Sequence, residues 1–342
     1  MHADTDRPKH NASSGTAGTR VTVYDVAEAA GTSVSTVSRV LNGSALIAEG
    51  TRRAVLETAE RLGYEQRRVR RQAARSVLNI VVFLPLAAEP HAHLFYDAAA
   101  LFAGIQDGLG EIRAHTIAAL SGSTSPFEGK KLGDVDGCIF AFASPDARLR
   151  EILGARGVPA VVINRLDEEY ACVVNDHVAG MRAIAREIVA RRADPRPVFV
   201  SVDTARPVAD YRWSALREQR TLPIGAGDAR RYATIAEITP AEVSRTLDAG
   251  YDTFVCANDL VAIAVFERLV SLGVAVPERV GITGYDAAPV RGLISRPIAS
   301  VDLAVARLGR EAADRLVHAI LARSFPSGRV MIPGAVIGGE SL

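Results

Sequence analysis

Small hydroxyl side chains and one arginine crowd a short stretch near the N-terminus of this 342-residue sequence. The residues concerned are Ser33, Ser35, Thr36, Ser38 and Arg39. Hydroxyls hydrogen-bond to phosphate oxygens and base edges at close range, and a guanidinium can hold a guanine through two hydrogen bonds. If one face of a helix presents them to solvent, these side chains form a nucleic-acid-binding surface. The alternative is the polar face of an ordinary helical hairpin.

Apolar residues at helical spacing predict three short helices around this stretch. They cover residues 23–30, 34–41 and 51–62, and Gly31-Thr32-Ser33 separates the first two. Ser33 is a favourable N-cap for the second helix. Two helices joined by such a turn are typical of a helix-turn-helix, whose second helix enters the major groove of DNA. The residues of the third helix expected to face inward are Ala54, Val55, Leu56, Ala59 and Leu62.

Positive charge is concentrated at the same end of the chain. The formal net charge is only +1, but residues 1–76 carry 12 Lys and Arg against 8 Asp and Glu. A run of arginines without an acidic residue among them repels itself unless a polyanion lies alongside, which favours DNA as the partner. The run consists of Arg67, Arg68, Arg70, Arg71 and Arg75.

Beyond residue 77, short apolar runs alternate with helical segments, which predicts parallel sheets covered by helices. The predicted strands are 78–84, 137–141, 160–163, 172–174, 198–202, 253–256, 280–283 and 298–301. The predicted helices are 98–112, 147–156, 178–192, 209–219, 240–249, 260–272 and 304–322. Because about 265 residues exceed one typical α/β core, we expect two doubly wound subdomains with a cleft between them.

The predicted organisation therefore joins an all-α headpiece to an α/β core. Its parts are a disordered lead at 1–20, a helix-turn-helix domain at 21–65, a basic hinge helix at 66–76 and the core at 77–342. Within the core, one subdomain takes 77–175 with 302–330, and the other takes 176–301 with 331–342.

Several classes of protein are disfavoured by features that the sequence lacks. The longest apolar run, residues 80–88, has nine residues and contains Pro85, whereas a membrane-spanning helix needs about 20. The polar N-terminus has no secretory signal, so we expect a cytoplasmic protein. Cys138, Cys172 and Cys256 show no CxxC spacing, so we expect buried thiols rather than disulfides or a zinc site. Motifs of the HExxH, GxSxG, P-loop and GxGxxG types are absent, so no enzyme activity and no cofactor are expected.

Residues 21–43 (VTVYDVAEAAGTSVSTVSRVLNG), with Thr51-Arg52 and Leu62-Gly63-Tyr64, closely resemble the DNA-binding headpiece of the lactose repressor family of bacterial transcription regulators. Further along, segments similar to the effector-binding core of that family, which is periplasmic-binding-protein-like, are FVCAND at 254–259, LGVAVP at 272–277, VGITGYD at 280–286 and Leu308-Gly309. The resemblance covers roughly residues 21–335, and 85–135 match poorly. It implies a ligand-responsive repressor that binds a near-palindromic double-stranded DNA operator as a homodimer.

The resemblance also implies roles for individual headpiece residues. Arg39 would contact a phosphate or a base, and Val34 and Ser35 occupy the positions that choose operator bases. Val34 can touch a thymine methyl and Ser35 can form one hydrogen bond, so base selection should be weaker than the roughly 1–3 kcal/mol of a bidentate pair. The residues implied to contact phosphates are Thr22, Tyr24, Ser33, Thr36, Ser38 and Asn42.

The basic run lies where the family has a hinge helix that inserts a leucine between base pairs in the minor groove. This chain has Ala73 at that position, and the proline that usually follows the tyrosine is replaced in Tyr64-Glu65-Gln66. A methyl group is a poor wedge between bases. We therefore expect the hinge to bind DNA mainly through charge, with Arg68 and Arg71 on one helical face.

For the core, the resemblance implies that Asn258 and Asp286 bind an effector and that Arg165 and Asp176 contribute from the opposite side. Ligands of parallel sheets bind at the carboxyl ends of the strands, where these residues lie. Asp and Asn accept hydrogen bonds from paired hydroxyls, which favours a sugar or a nucleoside. Polar residues after strands also cap the following helices, an alternative for Asp176 and Asp259.

Three positions in the cleft are less determined. The arginine that the family places there aligns near Val208, so either Arg206 or Arg212 takes its role or the role is missing, and Arg212 is the candidate. Tyr96, in the loop after the first strand, is a candidate for stacking on the ligand. Trp213 either stacks on a ligand or belongs to the core.

We expect dimer contacts on the predicted helices 98–112 and 260–272. Two other functions remain alternatives. A solute-binding protein of a transporter uses the same core, but the headpiece and the absent signal peptide oppose it. A sugar-modifying enzyme is disfavoured by the missing catalytic motifs.

Overall fold

The structure is a computed structural model. It describes residues 21, 23–41, 47–62, 64, 77–85, 97–128, 134–203 and 206–342. The side chains of Tyr24, Ser35, Ser38 and Arg206 lie outside this description, although their backbone belongs to helices. The chain divides into two compact units, Met1–Arg67 and Arg68–Leu342.

In its described residues, the first unit has three helices, α1 (Val23–Ala29), α2 (Val34–Leu41) and α3 (Glu49–Arg61). The turn between α1 and α2 passes through Gly31, whose φ of +62° lies in the left-handed region that favours glycine. Ser33 then caps α2, because its Oγ accepts a hydrogen bond from the Thr36 amide at 3.1 Å. The buried apolar side chains that hold the three helices together are Val26, Ala27, Val37, Val40, Val55 and Ala59.

The expected inward face of α3 is wrong at two positions. Ala54 is exposed and Leu56 is 46% exposed, whereas Thr58 is buried beside Ala59. At about 100° per residue, Val55, Thr58 and Ala59 form one stripe, and Ala54 and Leu56 lie on either side of it.

The second unit is an α/β core. Its strands are β1 (Leu78–Leu84), β2 (Ala114–Leu120), β3 (Gly137–Ala141), β4 (Ala160–Ile163), β5 (Ala171–Asn175), β6 (Pro197–Val202), β7 (Ala229–Tyr232), β8 (Thr253–Cys256), β9 (Gly281–Thr283), β10 (Ser300–Val301), β11 (Arg329–Ile332) and β12 (Val336–Ile337). Its helices are α4 (Ala98–Leu109), α5 (Ala147–Arg156), α6 (His177–Arg191), α7 (Arg206–Arg217), α8 (Pro240–Asp248), α9 (Asp259–Ser271) and α10 (Val305–Ala322).

These strands form two parallel sheets and one small antiparallel pair. The order is β11-β5-β4-β3-β1-β2 in the first sheet, β7-β6-β8-β9 in the second, and β10 pairs with β12. The predicted doubly wound α/β core with two subdomains is confirmed. The predicted burial of Cys138, Cys172 and Cys256 is also confirmed.

The sequence did not predict four strands, namely β2, β7, β11 and β12. Three of them, β2, β7 and β11, are edge strands of the two large sheets. An edge strand is covered less than a central one: β2 has no fully buried position, and its first half contains His115 and Thr116, so its apolar run is only four residues long. Central strands such as β3 and β4 are buried at every position, which made them visible in the sequence.

The chain passes between the two subdomains three times. The first passage follows Asn175 at the end of β5, the second lies between β10 and α10, and the third follows Ile332 at the end of β11. The third passage lies two residues beyond the predicted boundary at 330, because β11 continues to pair with β5 as far as Ile332 and Asn175.

Helices α4 and α10 pack backbone to backbone through glycines. A Cβ atom at Gly104 would lie 2.0 Å from the carbonyl oxygen of Ala306, and one at Gly309 would lie 2.6 Å from that of Leu101. The backbones of the two helices are therefore closer together than they could be if either glycine were a residue with a side chain.

We expect Gly104→Ala to destabilise the core. Overpacking costs about 1–3 kcal/mol, and here backbone must move, so the cost exceeds the gain in helix propensity of about 1 kcal/mol. Urea unfolding should show a lower midpoint. Gly227→Ala is the control, since a Cβ there meets no atom within 4 Å. A Gly104→Ala midpoint equal to that of the control would contradict the packing argument.

Candidate functional site

The DNA-binding face predicted for the headpiece is only partly described. Arg39 is exposed on α2, and the Oγ1 atom of Thr36 lies 2.8 Å from the Oγ of Ser33. Val34 is half-buried against the apolar residues that join the three helices. Only part of the Val34 side chain is therefore available for a thymine methyl, which keeps its predicted contribution to base selection small.

Other predicted DNA contacts cannot be placed. Tyr24, Ser35 and Ser38 belong to α1 and α2, but their side chains are not described. The predicted residues that lie outside the described part of the chain are Thr22, Asn42, Arg68, Arg71 and Ala73.

In the core, four of the predicted effector-binding residues follow the carboxyl ends of strands in both sheets. Arg165 comes shortly after β4 and Asp176 directly after β5, both in the first sheet. Asn258 follows β8 and Asp286 follows β9 in the second sheet. The parallel arrangement therefore brings polar side chains from both subdomains toward the expected cleft. Tyr96 lies outside the described residues.

The centre of this site is an ion pair between Arg212 and Asp286. The Nη2 atom of Arg212 donates to Asp286 Oδ1 at 2.6 Å, and Nη1 donates to the carbonyl oxygen of Ala257 at 2.6 Å. The two side chains are only 3% and 10% exposed. The buried Nε atom of Arg212 has no hydrogen-bond partner. Of the two arginines that the sequence left open, Arg212 is thus the one seen in contact with a predicted site residue.

Burial and the neighbouring charges shift the pKa values of Asp286 and Arg165. Burial raises the pKa of Asp286, and the Arg212 guanidinium opposes that shift. The pKa of Arg165 is lowered, first by burial and then by repulsion from Arg212. Among the described residues, the hydrogen bond seen for Arg165 runs from its Nη1 to the carbonyl oxygen of Asn164, at 3.0 Å, and a guanidinium carries four further N–H groups.

Two site residues were missed by the sequence analysis. The Tyr285 ring is completely buried, with the Arg212 guanidinium 3.7 Å from its centre. His177 lies edge-on to that ring at 5.6 Å, and its buried Nδ1 has no hydrogen-bond partner. Burial, together with Arg212 and Arg165, holds the pKa of His177 well below its usual value, so it is neutral. The sequence indicates these two residues through their positions, because Tyr285 directly precedes Asp286 and His177 directly follows Asp176.

The helix-cap alternative holds for Asp176 but not for Asp259. Asp176 Oδ1 accepts from the Ala179 amide at 2.9 Å and caps α6, which leaves its second oxygen for a ligand. At α9 the cap is Asn258, whose Oδ1 accepts from Val261 at 2.9 Å. Capping uses one atom of each side chain and therefore does not exclude ligand binding.

Asp259 instead supports the loop that carries Asp286. It is 1% exposed, and its carboxylate accepts from the Ala288 amide at 2.6 Å and from Ser300 Oγ at 2.6 Å. The loop has left-handed backbone at Asp286 (φ +99°) and at Ala287 (φ +50°). Such conformations persist only where the surroundings enforce them, and Asp259 is part of that enforcement.

Trp213 belongs to the core. It is 8% exposed and stacks on Phe199, with 5.2 Å between the ring centres. Of the two interpretations left open by the sequence, the structure therefore favours packing over ligand stacking.

The described part of the chain contains no group of three or more His, Cys, Asp or Glu placed to hold a metal ion. Among the same residues, no helix is long and apolar enough to span a bilayer.

The raised pKa of Asp259 predicts that the unfolding free energy depends on pH. Burial, with repulsion from Asp286, raises its pKa from 3.8 to about 7, so the folded protein retains a proton that the unfolded chain releases between these values. The unfolding free energy should therefore fall as pH rises through this window, by at most about 1.4 kcal/mol per pH unit. Asp259→Asn removes this contribution.

The measurement is urea unfolding of both proteins from about pH 4 to pH 8, a range set by the folded and unfolded pKa values. The stability of the wild type relative to Asp259→Asn should decrease with rising pH. Asp248→Asn, at an exposed carboxylate ending α8, should run parallel to the wild type. A difference between wild type and Asp259→Asn that stays constant with pH would show that Asp259 does not titrate in this way.

Comparison with known families agrees with both units of the fold. Residues 22–66 match the family model of bacterial regulatory proteins of the lacI family, and residues 202–342 match that of the periplasmic binding protein-like domain. The second match begins at the end of β6 and includes Arg212, Asn258 and Asp286.

Similar proteins extend the agreement along the chain. The HTH-type transcriptional regulator CelR of Thermobifida fusca is 27% identical over 341 residues, covering 94% of this chain and 98% of the relative. The ribose operon repressor of Bacillus subtilis is 27% identical over 329 residues, with the same two coverages. A solved complex of CelR with cellobiose has a TM-score of 0.64 and 26% identity, covering 94% of this chain and 100% of that one. The chain therefore carries a headpiece that matches the lacI family of bacterial regulatory proteins, followed by a core that matches the periplasmic binding protein-like domain, and it is similar over most of its length to regulators that carry both.

Proposed function

We propose that this protein is a ligand-responsive transcriptional repressor that binds a near-palindromic operator as a homodimer. A small molecule closes the cleft of the core and changes the affinity of the headpieces for DNA by a shift in population between two core conformations. The observation that carries the ligand-binding half of the proposal is the buried Arg212–Asp286 pair at the carboxyl ends of the strands. Burying a charged pair there costs desolvation free energy, and apolar side chains of similar volume would fill the core without that cost.

The proposed effector is a sugar or a nucleoside-like molecule. Hydroxyl groups would donate to the free oxygens of Asp286 and Asp176 and would accept from Arg165 and from Arg212 Nε. Asn258 would contribute its amide group, since its carbonyl oxygen caps α9. Tyr96 is proposed to stack on the ligand. Two similar proteins support a sugar, because one was solved with cellobiose and the other is named for the ribose operon.

On the DNA side, α2 would lie in the major groove. Arg39 would contact phosphate or base, and Val34 and Ser35 would select bases weakly. The residues proposed to contact phosphates are Thr22, Tyr24, Ser33, Thr36, Ser38 and Asn42. The hinge at 66–76 would bind through charge, with Arg68 and Arg71 at the backbone and Ala73 too small to wedge a base step. The lead predicted at 1–20 lies outside the described residues.

The homodimer would place two headpieces on two operator half-sites. Contacts are proposed on α4 and α9, and Val270 in the last turn of α9 is 56% exposed. The solute-binding alternative lacks support, since residues 22–66 match a regulatory headpiece. The similar proteins are named as regulators rather than sugar-modifying enzymes.

A thermal-shift screen tests the effector site. We expect one of a set of sugars and nucleosides, including cellobiose and ribose, to raise the melting temperature of the wild type. Asp286→Ala should abolish that rise, because a buried partner of Arg212 and a hydroxyl acceptor are both lost. Asp248→Ala, an exposed carboxylate on α8, should retain it. An equal ligand-induced rise in Asp286→Ala would place the site elsewhere.

The dependence of operator affinity on salt tests the hinge. If Arg68 and Arg71 each neutralise one phosphate, Arg68→Ala/Arg71→Ala should reduce the slope of log K against log salt by about 2, since each phosphate contact contributes about 0.9. The matched control is Arg182→Ala/Arg186→Ala, which removes two exposed arginines of α6. Equal slopes in the wild type and the hinge variant would overturn binding by charge.

A further inference from the structure

All three passages between the core subdomains meet at one buried side chain, that of Asn175. Asn175 ends β5 and therefore belongs to the first passage. Its Nδ2 donates to the carbonyl oxygen of Leu303 at 3.4 Å, in the second passage, and to that of Ile332 at 3.3 Å, the residue from which the third passage starts. The residue is 1% exposed. A single amide thus holds the three segments that any relative rotation of the subdomains must bend.

The passages are pressed together around this amide. A Cβ atom at Gly334, in the third passage, would lie 2.1 Å from the carbonyl oxygen of Asp302 in the second and 3.2 Å from Asn175 Nδ2. The backbone amide of Asn175 also donates to Asn164 Oδ1, at 3.3 Å. A residue with a side chain at position 334 would therefore clash with the second passage.

The acceptor side of the same amide faces the effector site. Tyr285 donates its hydroxyl proton to Asn175 Oδ1 at 2.5 Å. The Tyr285 ring lies under the Arg212 guanidinium, and the next residue, Asp286, pairs with Arg212. One aromatic side chain therefore joins the charged pair of the site to the three passages.

Tyr285 has little freedom to find another partner. A Cβ atom at Gly180 of α6 would lie 2.2 Å from the Tyr285 hydroxyl oxygen, so α6 packs directly on that end of the ring. If the Tyr285–Asn175 bond breaks, a buried donor and a buried acceptor are left unpaired, which is strongly unfavourable in a low-dielectric interior.

We propose that the hydrogen bond between Tyr285 and Asn175 is a latch that sets the opening between the two core subdomains, and that Asn175 is the positioning residue through which the effector site acts on the three passages. This inference rests on the proposed function, since it assigns the coupling step of the same site. Movement of Arg212 on ligand binding changes the position of Tyr285, and the latch transmits that change to Leu303 and Ile332.

The test measures the distance between the subdomains in the full-length protein without any ligand. Spin labels are placed at Ala155→Cys on α5 and Ala241→Cys on α8, both exposed, while the three native cysteines are buried. Labelled protein is diluted with unlabelled protein so that distances within one protomer dominate. Double electron–electron resonance then gives the distribution of distances.

Tyr285→Phe removes only the hydroxyl, and Asn175→Leu removes the amide with little change in volume. In each variant we expect a second distance population that the wild type lacks. Tyr251→Phe is the matched control, because it removes a hydroxyl that donates to Asp228 at 2.6 Å within one subdomain. Its distribution should remain that of the wild type.

Two outcomes overturn the latch. One is a wild-type distribution in both Tyr285→Phe and Asn175→Leu. The other is an equal broadening in Tyr251→Phe, which would show a general loss of rigidity. Neither outcome depends on an effector or an operator, so a failure of the latch is distinguishable from a failure of the proposed function, which the thermal-shift and salt experiments test.

Discussion

A guanidinium withdrawn from water must be paired, and the core is organised around the pairing of Arg212 with Asp286. Removing one partner of such a buried pair typically costs about 3–5 kcal/mol, because the remaining charge has no solvent. The pair fixes more than two side chains. Arg212 also holds the Ala257 carbonyl at the end of β8 and covers the ring of Tyr285, so two strand ends and one helix are aligned by a single group.

The backbone around Asp286 shows how that alignment is maintained. Asp286 and Ala287 adopt left-handed conformations that are unfavourable for residues with side chains. Asp259 and Ser300 oppose the strain by hydrogen bonds to this loop and to each other. The cost of burying Asp259 is visible in its raised pKa. Asp259 is thus a carboxyl that burial destabilises and that holds the backbone of a strained loop in place.

The helices and central strands could be predicted because each is determined by local pattern. β1, β3, β4 and β8 have the predicted bounds, since a strand buried on both faces is a nearly continuous apolar run. β2 and β7 could not be recognised, because an edge strand needs only one covered side and its residues need not be apolar. Ala54 and Leu56 were wrongly placed for a related reason, since apolar residues beside a buried stripe remain exposed when no second element covers them.

For the site, the sequence by itself determined that Asn258 and Asp286 follow the ends of parallel strands, and the family resemblance added Arg165 and Asp176 on the opposite side. Only the tertiary structure decided that Arg212 meets Asp286, that Asn258 rather than Asp259 caps α9, and that Tyr285 reaches Asn175, 110 residues away along the chain. Strand ends are set by local periodicity. Which side chains touch depends on the rotation of each helix against its sheet and on three chain passages packed into one place, and neither leaves a periodic signal in the sequence.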